Sequence, residues 1–93
     1  MFVALLEIEL RLEASHSLKD KRQVVQSLID QMRRRFNVSV AEVDRLDAWQ
    51  SAVIGVACVA NEKRFLQEAI AHVENFVESD PRIVVVRTET EIV

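Results

Sequence analysis

The residues from Leu6 to Glu13, LEIELRLE, alternate strictly between apolar and charged side chains. A period of two sends successive side chains to opposite faces of an extended chain, so this segment predicts a strand with one buried face. We expect this first strand to run from about Phe2 to Glu13.

The period changes after Ser17. Apolar residues then recur at steps of three and four, which predicts an amphipathic helix. Its apolar positions are Leu18, Val25, Leu28, Ile29, Met32 and Phe36. Ser17 is the expected N-cap, with Asp20 in the acidic position of a capping box, and Asn37 is the expected stop.

The rest of the chain predicts two strands, a second helix and a fourth strand. The expected segments are a short strand at 38–43 with a bulge at Ala41-Glu42, a turn at 44–47, a central strand at 48–60, a helix that Asn61 caps and that ends at 79–81, and a strand at 82–93. The buried face of the second helix is expected to carry Phe65, Leu66, Ala69, Ile70, Val73, Phe76 and Val77.

This order of elements, βαββαβ, consists of two split βαβ units. Right-handed crossovers fold such units into a four-stranded antiparallel sheet with both helices on one face. The sequence therefore predicts an α+β, ferredoxin-like fold, formed by residues 1–93 as a single domain.

Composition narrows the setting of the protein. Gly and Pro occur once each among 93 residues, so the loops must be short, and a chain of this length forms one domain. The lone Cys58 cannot form an internal disulfide, which favours the cytoplasm. Glu7 and Glu9 interrupt the apolar start, so we expect neither a signal peptide nor a membrane span.

Three cations, Lys19, Lys21 and Arg22, fall in the first turns of the first helix. The helix macrodipole disfavours each of them there by about 0.3 to 1 kcal/mol. Lys21 also falls within the apolar arc and is expected to overhang the end of the sheet. Free N–H groups, the Ser17 hydroxyl and these cations would together favour a bound phosphate or carboxylate. The alternative is that Asp20, Asp80 or a strand-end Glu neutralises them.

A polar stripe runs along the same helix, because Lys19, Arg22, Gln26 and Arg33 share one side of it. Lys19 and Arg33 lie about 21 Å apart along the axis, a span that suits an extended polyanion. The resulting hypothesis is a non-catalytic factor that docks on structured RNA or the ribosome, with no DNA or membrane partner expected. Its candidate site comprises Ser17, Lys19, Lys21, Arg22, Arg33 and Arg34, although arginines at a helix C-terminus need no function.

The exposed face of the sheet gives the alternative hypothesis. Val3, Leu5, Trp49 and Val53 are expected there and could pair with a second copy or another partner. Trp49 equally fits a role in capping the core. A small-anion-binding module is a further form of this alternative.

No catalytic, metal or cofactor site is predicted. The loop after the first strand, EASHS, lacks the glycines of a phosphate-binding acylphosphatase loop. His16, His72 and Cys58 lie on three separate elements without metal-ligand spacing. The chain has too few sheet aromatics for an RNA-recognition motif and no G-x-x-G loop for a KH domain. An enzyme with an undetected site stays a third possibility.

Three blocks, SLKDKR (17–22), RFNVSVAEVD (35–44) and the Trp49-Gln50 pair, resemble the YlxP-like family of small bacterial proteins, a domain-of-unknown-function family. The likeness extends over essentially the whole chain. It implies a ferredoxin-like fold, a bacterial cytoplasmic setting and a loose association with translation and ribosome-assembly factors. The family offers no agreed catalytic residues to transfer to this sequence.

Overall fold

The computed structural model describes residues 1–93, which form four strands and two helices. The elements are β1 (Phe2–Arg11), α1 (Leu18–Arg35), β2 (Ser39–Asp44), β3 (Ser51–Ala60), α2 (Lys63–Glu78) and β4 (Val84–Ile92). The strands form one sheet in the order β2-β3-β1-β4, and all neighbouring pairs are antiparallel. The predicted α+β ferredoxin-like fold is confirmed.

The alternation of β1 sets the two faces of the sheet. Ala4, Leu6, Ile8 and Leu10 are each 1% exposed and point to the helical layer, whereas the intervening residues point away from it. β1 ends at Arg11, two residues before the predicted end, although the Leu12 N–H still bonds to the Gln50 carbonyl oxygen at 2.9 Å.

The start of α1 is the predicted one. The Ser17 hydroxyl accepts from the Asp20 N–H at 3.0 Å, and the Asp20 carboxylate accepts from the His16 N–H at 3.0 Å. The first bond caps the helix, and the second ties the Asp20 carboxylate to the residue before the N-cap, one position earlier than in the predicted capping box. α1 ends with Phe36 as its C-cap, one residue before the predicted stop at Asn37.

Two predictions for α2 are wrong. Glu62, and not Asn61, is the N-cap, and no side chain caps this end. Asn61 stands one position too early for its side chain to reach the first free N–H groups. Phe65 is 44% exposed because it lies about 100° around the helix from the buried Leu66. The Arg64 guanidinium covers its ring at 5.1 Å.

The β2–β3 pair carries a bulge that brings Val43 over Gly55. The register shifts between Glu42 and Asp44, so the bulge falls just after the predicted position at Ala41-Glu42. A Cβ atom added to Gly55 would stand 2.8 Å from Val43 Cγ1. The single glycine of the chain therefore makes room for the bulged valine.

Lys21 joins α1 to the turn between β2 and β3. Its side chain is fully buried, and its ammonium donates to Glu42 Oε2 at 2.9 Å. Three backbone carbonyl oxygens complete its surroundings: those of Arg45 at 2.8 Å, Leu46 at 3.1 Å and Ser51 at 3.2 Å. Arg45 has φ 58°, a conformation that costs a residue other than glycine free energy, and the bond to its carbonyl helps to hold it.

We expect Gly55→Ala to lower the free energy of unfolding by about 1 kcal/mol, because the new methyl group overpacks against a stiff β-branched side chain. Urea denaturation of the wild type, Gly55→Ala, Val43→Ala and the double variant Val43→Ala/Gly55→Ala measures the effect in both backgrounds. In the Val43→Ala background, the change to alanine should be neutral or stabilising. Equal destabilisation in both backgrounds would contradict the steric explanation.

We expect Lys21→Met to cost about 3 to 5 kcal/mol of unfolding free energy, because it leaves Glu42 half-buried without its counter-ion and three carbonyls without a donor. Lys19→Met, an equivalent change at an exposed position of the same helix, should stay within about 0.5 kcal/mol. Urea unfolding followed by circular dichroism compares the two. Similar small losses for both would show that the buried ammonium is dispensable.

Candidate nucleic-acid interface

A groove of about 870 Å³ lies between α1 and β2. The four members of the predicted polar stripe all line it: Lys19, Arg22, Gln26 and Arg33. Ala41 and Glu42 of β2 form part of the opposite side. The helix thus lines one side of the groove with cations, and the edge strand β2 lines the other side.

Apart from Lys21, the Lys and Arg side chains of α1 form no ion pairs with carboxylates of the protein. The six Lys and Arg side chains that pair with carboxylates are Arg11, Lys21, Arg45, Arg64, Arg82 and Arg87. Lys21 is the one member of this set on α1. Of the remaining six cations, all but Lys63 lie on α1. Positive charge that the protein does not neutralise is therefore concentrated on one helix.

The carboxylates near the groove are already engaged by other groups. Asp30 Oδ1 accepts from Gln26 Nε2 at 2.8 Å, and Glu42 pairs with the buried Lys21. Neither is within ion-pair distance of Lys19 or Arg22. The exposed side chains of Lys19 and Arg22 consequently keep their donors for a ligand.

Arg33 and Arg34 are held differently. Arg33 Nη2 donates to the Val40 carbonyl oxygen of β2 at 2.8 Å, which leaves its other N–H groups without a protein acceptor. Arg34 Nε donates to the Asp30 carbonyl oxygen at 3.3 Å, and its side chain does not line the groove. Arg35 lies over the Phe76 ring at 4.7 Å. Arg33 is thus the cation of this cluster that faces the groove.

Ser17 and Lys21, which were predicted to join the same anion site, have structural partners. The Ser17 hydroxyl caps α1, and Asp20 places a carboxylate beside the same helix start. The Lys21 ammonium is fully buried among its four acceptors, at the end of the sheet where it was expected. Burial removes Lys21 from the surface that a ligand can reach, and its partner is a strand-end glutamate, as the alternative interpretation proposed.

The predicted partner face is not one continuous patch. Val3 and Leu5 pair with Val59 and Ala57 towards one end of the sheet, where Leu5 is 43% exposed. Trp49 is 57% exposed but precedes β3 at the opposite end, about 25 Å from Leu5 along the strand direction. Val53, which lies between them, is only 8% exposed.

Cys58 and His72 line the same apolar pocket of about 330 Å³, which the sequence did not indicate. Burial raises the pKa of the Cys58 thiol, so the thiol stays protonated at neutral pH and is a weak nucleophile. No group of three or more His, Cys, Asp or Glu side chains is arranged to hold a metal ion. The pocket therefore favours a packing role for this cysteine.

Asp80 and Arg82 form a tight pair in the connection between α2 and β4. Arg82 Nη2 lies 2.7 Å from Asp80 Oδ2, and the Arg82 side-chain hydrogen bonds hold the pKa of Asp80 below its usual value. The same contact raises the pKa of Arg82. Asp80 thus forms its ion pair with Arg82 and does not neutralise the cations at the start of α1.

Sequence reasoning missed the contribution of β2 to this site. Glu42 follows Val40 by two residues and shares its inward-facing side of the strand. A charged residue at such a position needs a buried partner, and Lys21 stands in the apolar arc of α1. Pairing Lys21 with Glu42, the two charged residues at otherwise apolar positions, would have predicted that β2 lies beside the polar stripe of α1.

Neither helix combines the length and the apolar composition that a membrane span requires.

Comparison with known proteins relates the whole chain to one family. The model of the family DUF503, described as a protein of unknown function, matches residues 3–90. The uncharacterized protein YlxP of Bacillus subtilis (strain 168) is 33% identical over 75 residues, which cover 81% of this chain and 82% of that protein. The likeness inferred from the three sequence blocks is confirmed, and the chain belongs to the DUF503 family.

Proposed function

We propose that this protein is a non-catalytic RNA-binding accessory factor that docks the α1 groove on the backbone of structured RNA. The observation that carries the proposal is the row of unpaired cations on α1, in a protein whose other cations, Lys63 apart, are all ion-paired. Lys19, Arg22 and Arg33 are the side chains that contact phosphates.

The length of the row supports a polyanion over a small ligand. Lys19 and Arg33 are separated by 14 residues, about 21 Å along the helix axis. One phosphate cannot span this distance, whereas successive phosphates of a nucleic acid can. Arg33 already bonds the edge strand, so its planar guanidinium is held with further N–H groups free.

The charge distribution supports a confined contact. Residues 16–35 contain six Lys or Arg and two Asp, a net charge of +4, whereas the whole chain has a net charge of −3. The acidic remainder repels a polyanion from the other faces of the molecule. Binding is therefore expected at one register on α1 and not as a general coating.

The absence of an aromatic platform on the sheet supports recognition of backbone shape. The face of the sheet away from the helices carries Glu7, Glu9 and Arg11 on β1, and no aromatic residue lies on it within the strands. Proteins that read single-stranded RNA stack its bases on such aromatics. A folded RNA with exposed phosphates is thus the favoured ligand, and the ribosome is a source of such RNA.

The unpaired Cys58 suits a reducing compartment, and we place this activity in the cytoplasm. A face-to-face homodimer through Val3, Leu5, Trp49 and Val53 is the weaker candidate function, because its residues are dispersed and Val53 is buried.

The salt dependence of binding to a fluorescein-labelled RNA hairpin tests the proposal. With three phosphates engaged, log K should fall with log salt at a slope of about −2 to −3. The triple variant Lys19→Glu/Arg22→Glu/Arg33→Glu should lose measurable binding, and Arg22→Ala alone should make the slope shallower by about 0.7 to 0.9. Fluorescence anisotropy at several salt concentrations measures all of these.

The matched control is Arg11→Glu/Lys63→Glu/Arg64→Glu, which makes the same change of net charge at exposed positions outside α1. This control should bind the hairpin within about threefold of the wild type, since long-range charge effects are screened. Equal losses in the two triple variants, or a flat salt dependence in the wild type, would refute a specific α1 interface. Tighter binding of a DNA hairpin of the same sequence would refute a preference for RNA.

A further inference from the structure

The two edges of the sheet are treated differently. At the β2 edge, Arg33 bonds the Val40 carbonyl oxygen and the bulge at Val43 interrupts the strand. β4, at the other edge, has nine residues without proline or lysine, and its side chains from Val86 to Glu91 are all exposed. Its register with β1 shifts once, at Val86, and is regular from Arg87 to Ile92. Bulges and side-chain contacts protect an edge from pairing with another chain, and regular exposed strands invite it.

The hydrogen-bond pattern shows which groups of β4 face outward. Val3 and Val93 exchange both backbone bonds, at 2.8 Å each. Because bonded and non-bonded pairs alternate in an antiparallel ladder, Glu91, Glu89 and Arg87 also direct their backbone groups to β1. The N–H and carbonyl groups of Thr88, Thr90 and Ile92 therefore point away from the sheet, where no protein group meets them.

The charged side chains of β4 determine which pairing register a second copy of the strand would adopt. Arg87, Glu89 and Glu91 lie on the sheet face opposite the helices. A twofold axis at Glu89 would oppose Arg87 to Glu91 of the partner subunit, twice, but would also oppose Glu89 to its own counterpart. An axis at Thr90 would oppose Glu89 to Glu91 of the partner subunit, twice. An axis at Thr88 instead opposes Arg87 to Glu89 of the partner subunit, twice, and opposes no like charges. It also places the outward-facing backbone groups of the two Thr88 residues opposite each other.

We propose that β4 pairs with β4 of a second copy of this chain, antiparallel about an axis at Thr88, so that the two sheets form one continuous sheet. In this arrangement Arg87 of the partner subunit lies opposite Glu89 and diagonal to Glu91. These glutamates line a surface hollow of about 460 Å³ together with Glu7. Within one chain Arg87 pairs with Glu89, whereas Glu7 and Glu91 have no ion pair. The second copy adds a second arginine beside these three carboxylates.

The proposed dimer is independent of RNA binding. β2, which borders the α1 groove, and β4 are at opposite edges of the sheet, with β3 and β1 between them. Pairing through β4 therefore leaves the groove open in both copies. The contact is a short strand pair, so we expect a dimer that dissociates on dilution and not an obligate one.

Sedimentation of the RNA-free protein over a range of concentrations tests the pairing. The wild type should form a concentration-dependent dimer. Arg87→Glu and Glu89→Arg should each weaken it at least tenfold, because each opposes like charges twice across the axis. An equimolar mixture of the two variants should recover dimers, because both cross-axis pairs are then oppositely charged. One pair has glutamate at position 87 opposite arginine at position 89, and the other is the wild-type pair of Arg87 with Glu89.

Backbone pairing is tested separately at Thr88, whose N–H faces outward and is not used within the chain. Thr88→Pro should abolish the dimer, whereas Thr88→Val, which keeps the N–H, should preserve it. Circular dichroism establishes that every variant is folded. A wild type that stays monomeric up to about 1 mM protein, unaltered dimerisation of the charge variants, or a mixture that does not recover dimers would each overturn the proposal.

Discussion

The buried ammonium of Lys21 holds together the part of the molecule on which the rest depends. A charge removed from water is tolerated only when its donors and its counter-ion are all matched, and Glu42 with three carbonyl oxygens provides that match. These acceptors belong to β2, to the following turn and to the start of β3. Lys21 thus ties α1 to the edge strand, and the Arg33 bond to Val40 adds a second tie further along the helix. The groove lies between these two elements.

The protein uses its cations in two ways. Lys21 stabilises the fold through its buried ion pair with Glu42. The cations outside α1, except for Lys63, form ion pairs with nearby carboxylates. Lys19 and Arg22, within three residues of Lys21 in sequence, have no such partner. Helical rotation alone separates these roles, because neighbouring positions differ by about 100° and face either the core or the solvent. A basic segment in the sequence therefore contains both a structural residue and a surface available for binding.

Local pattern predicted most of the fold, because periods of two and of 3.6 reflect which faces are buried. The strands, the helices, the Ser17 cap and the bulge in β2 all follow from such patterns, with errors of a few residues. What failed depends on contacts between distant segments. The exposure of Phe65 depends on how far the core extends around α2, and the burial of Lys21 depends on Glu42, which is 21 residues away. The polar stripe was predicted, but the strand that completes the groove was not.

The unequal edges of the sheet also bear on solubility. A sheet with two open edges can add chains at both sides without limit, which leads to filaments and aggregation. Here the Arg33 guanidinium and the bulge at Val43 disfavour strand addition at β2, which leaves β4, regular from Arg87 to Ile92, as the edge more open to pairing. Any assembly through strand pairing therefore ends once that edge is used. The arginine that faces the groove thus has a second consequence, which is to keep a chain with an exposed strand from polymerising.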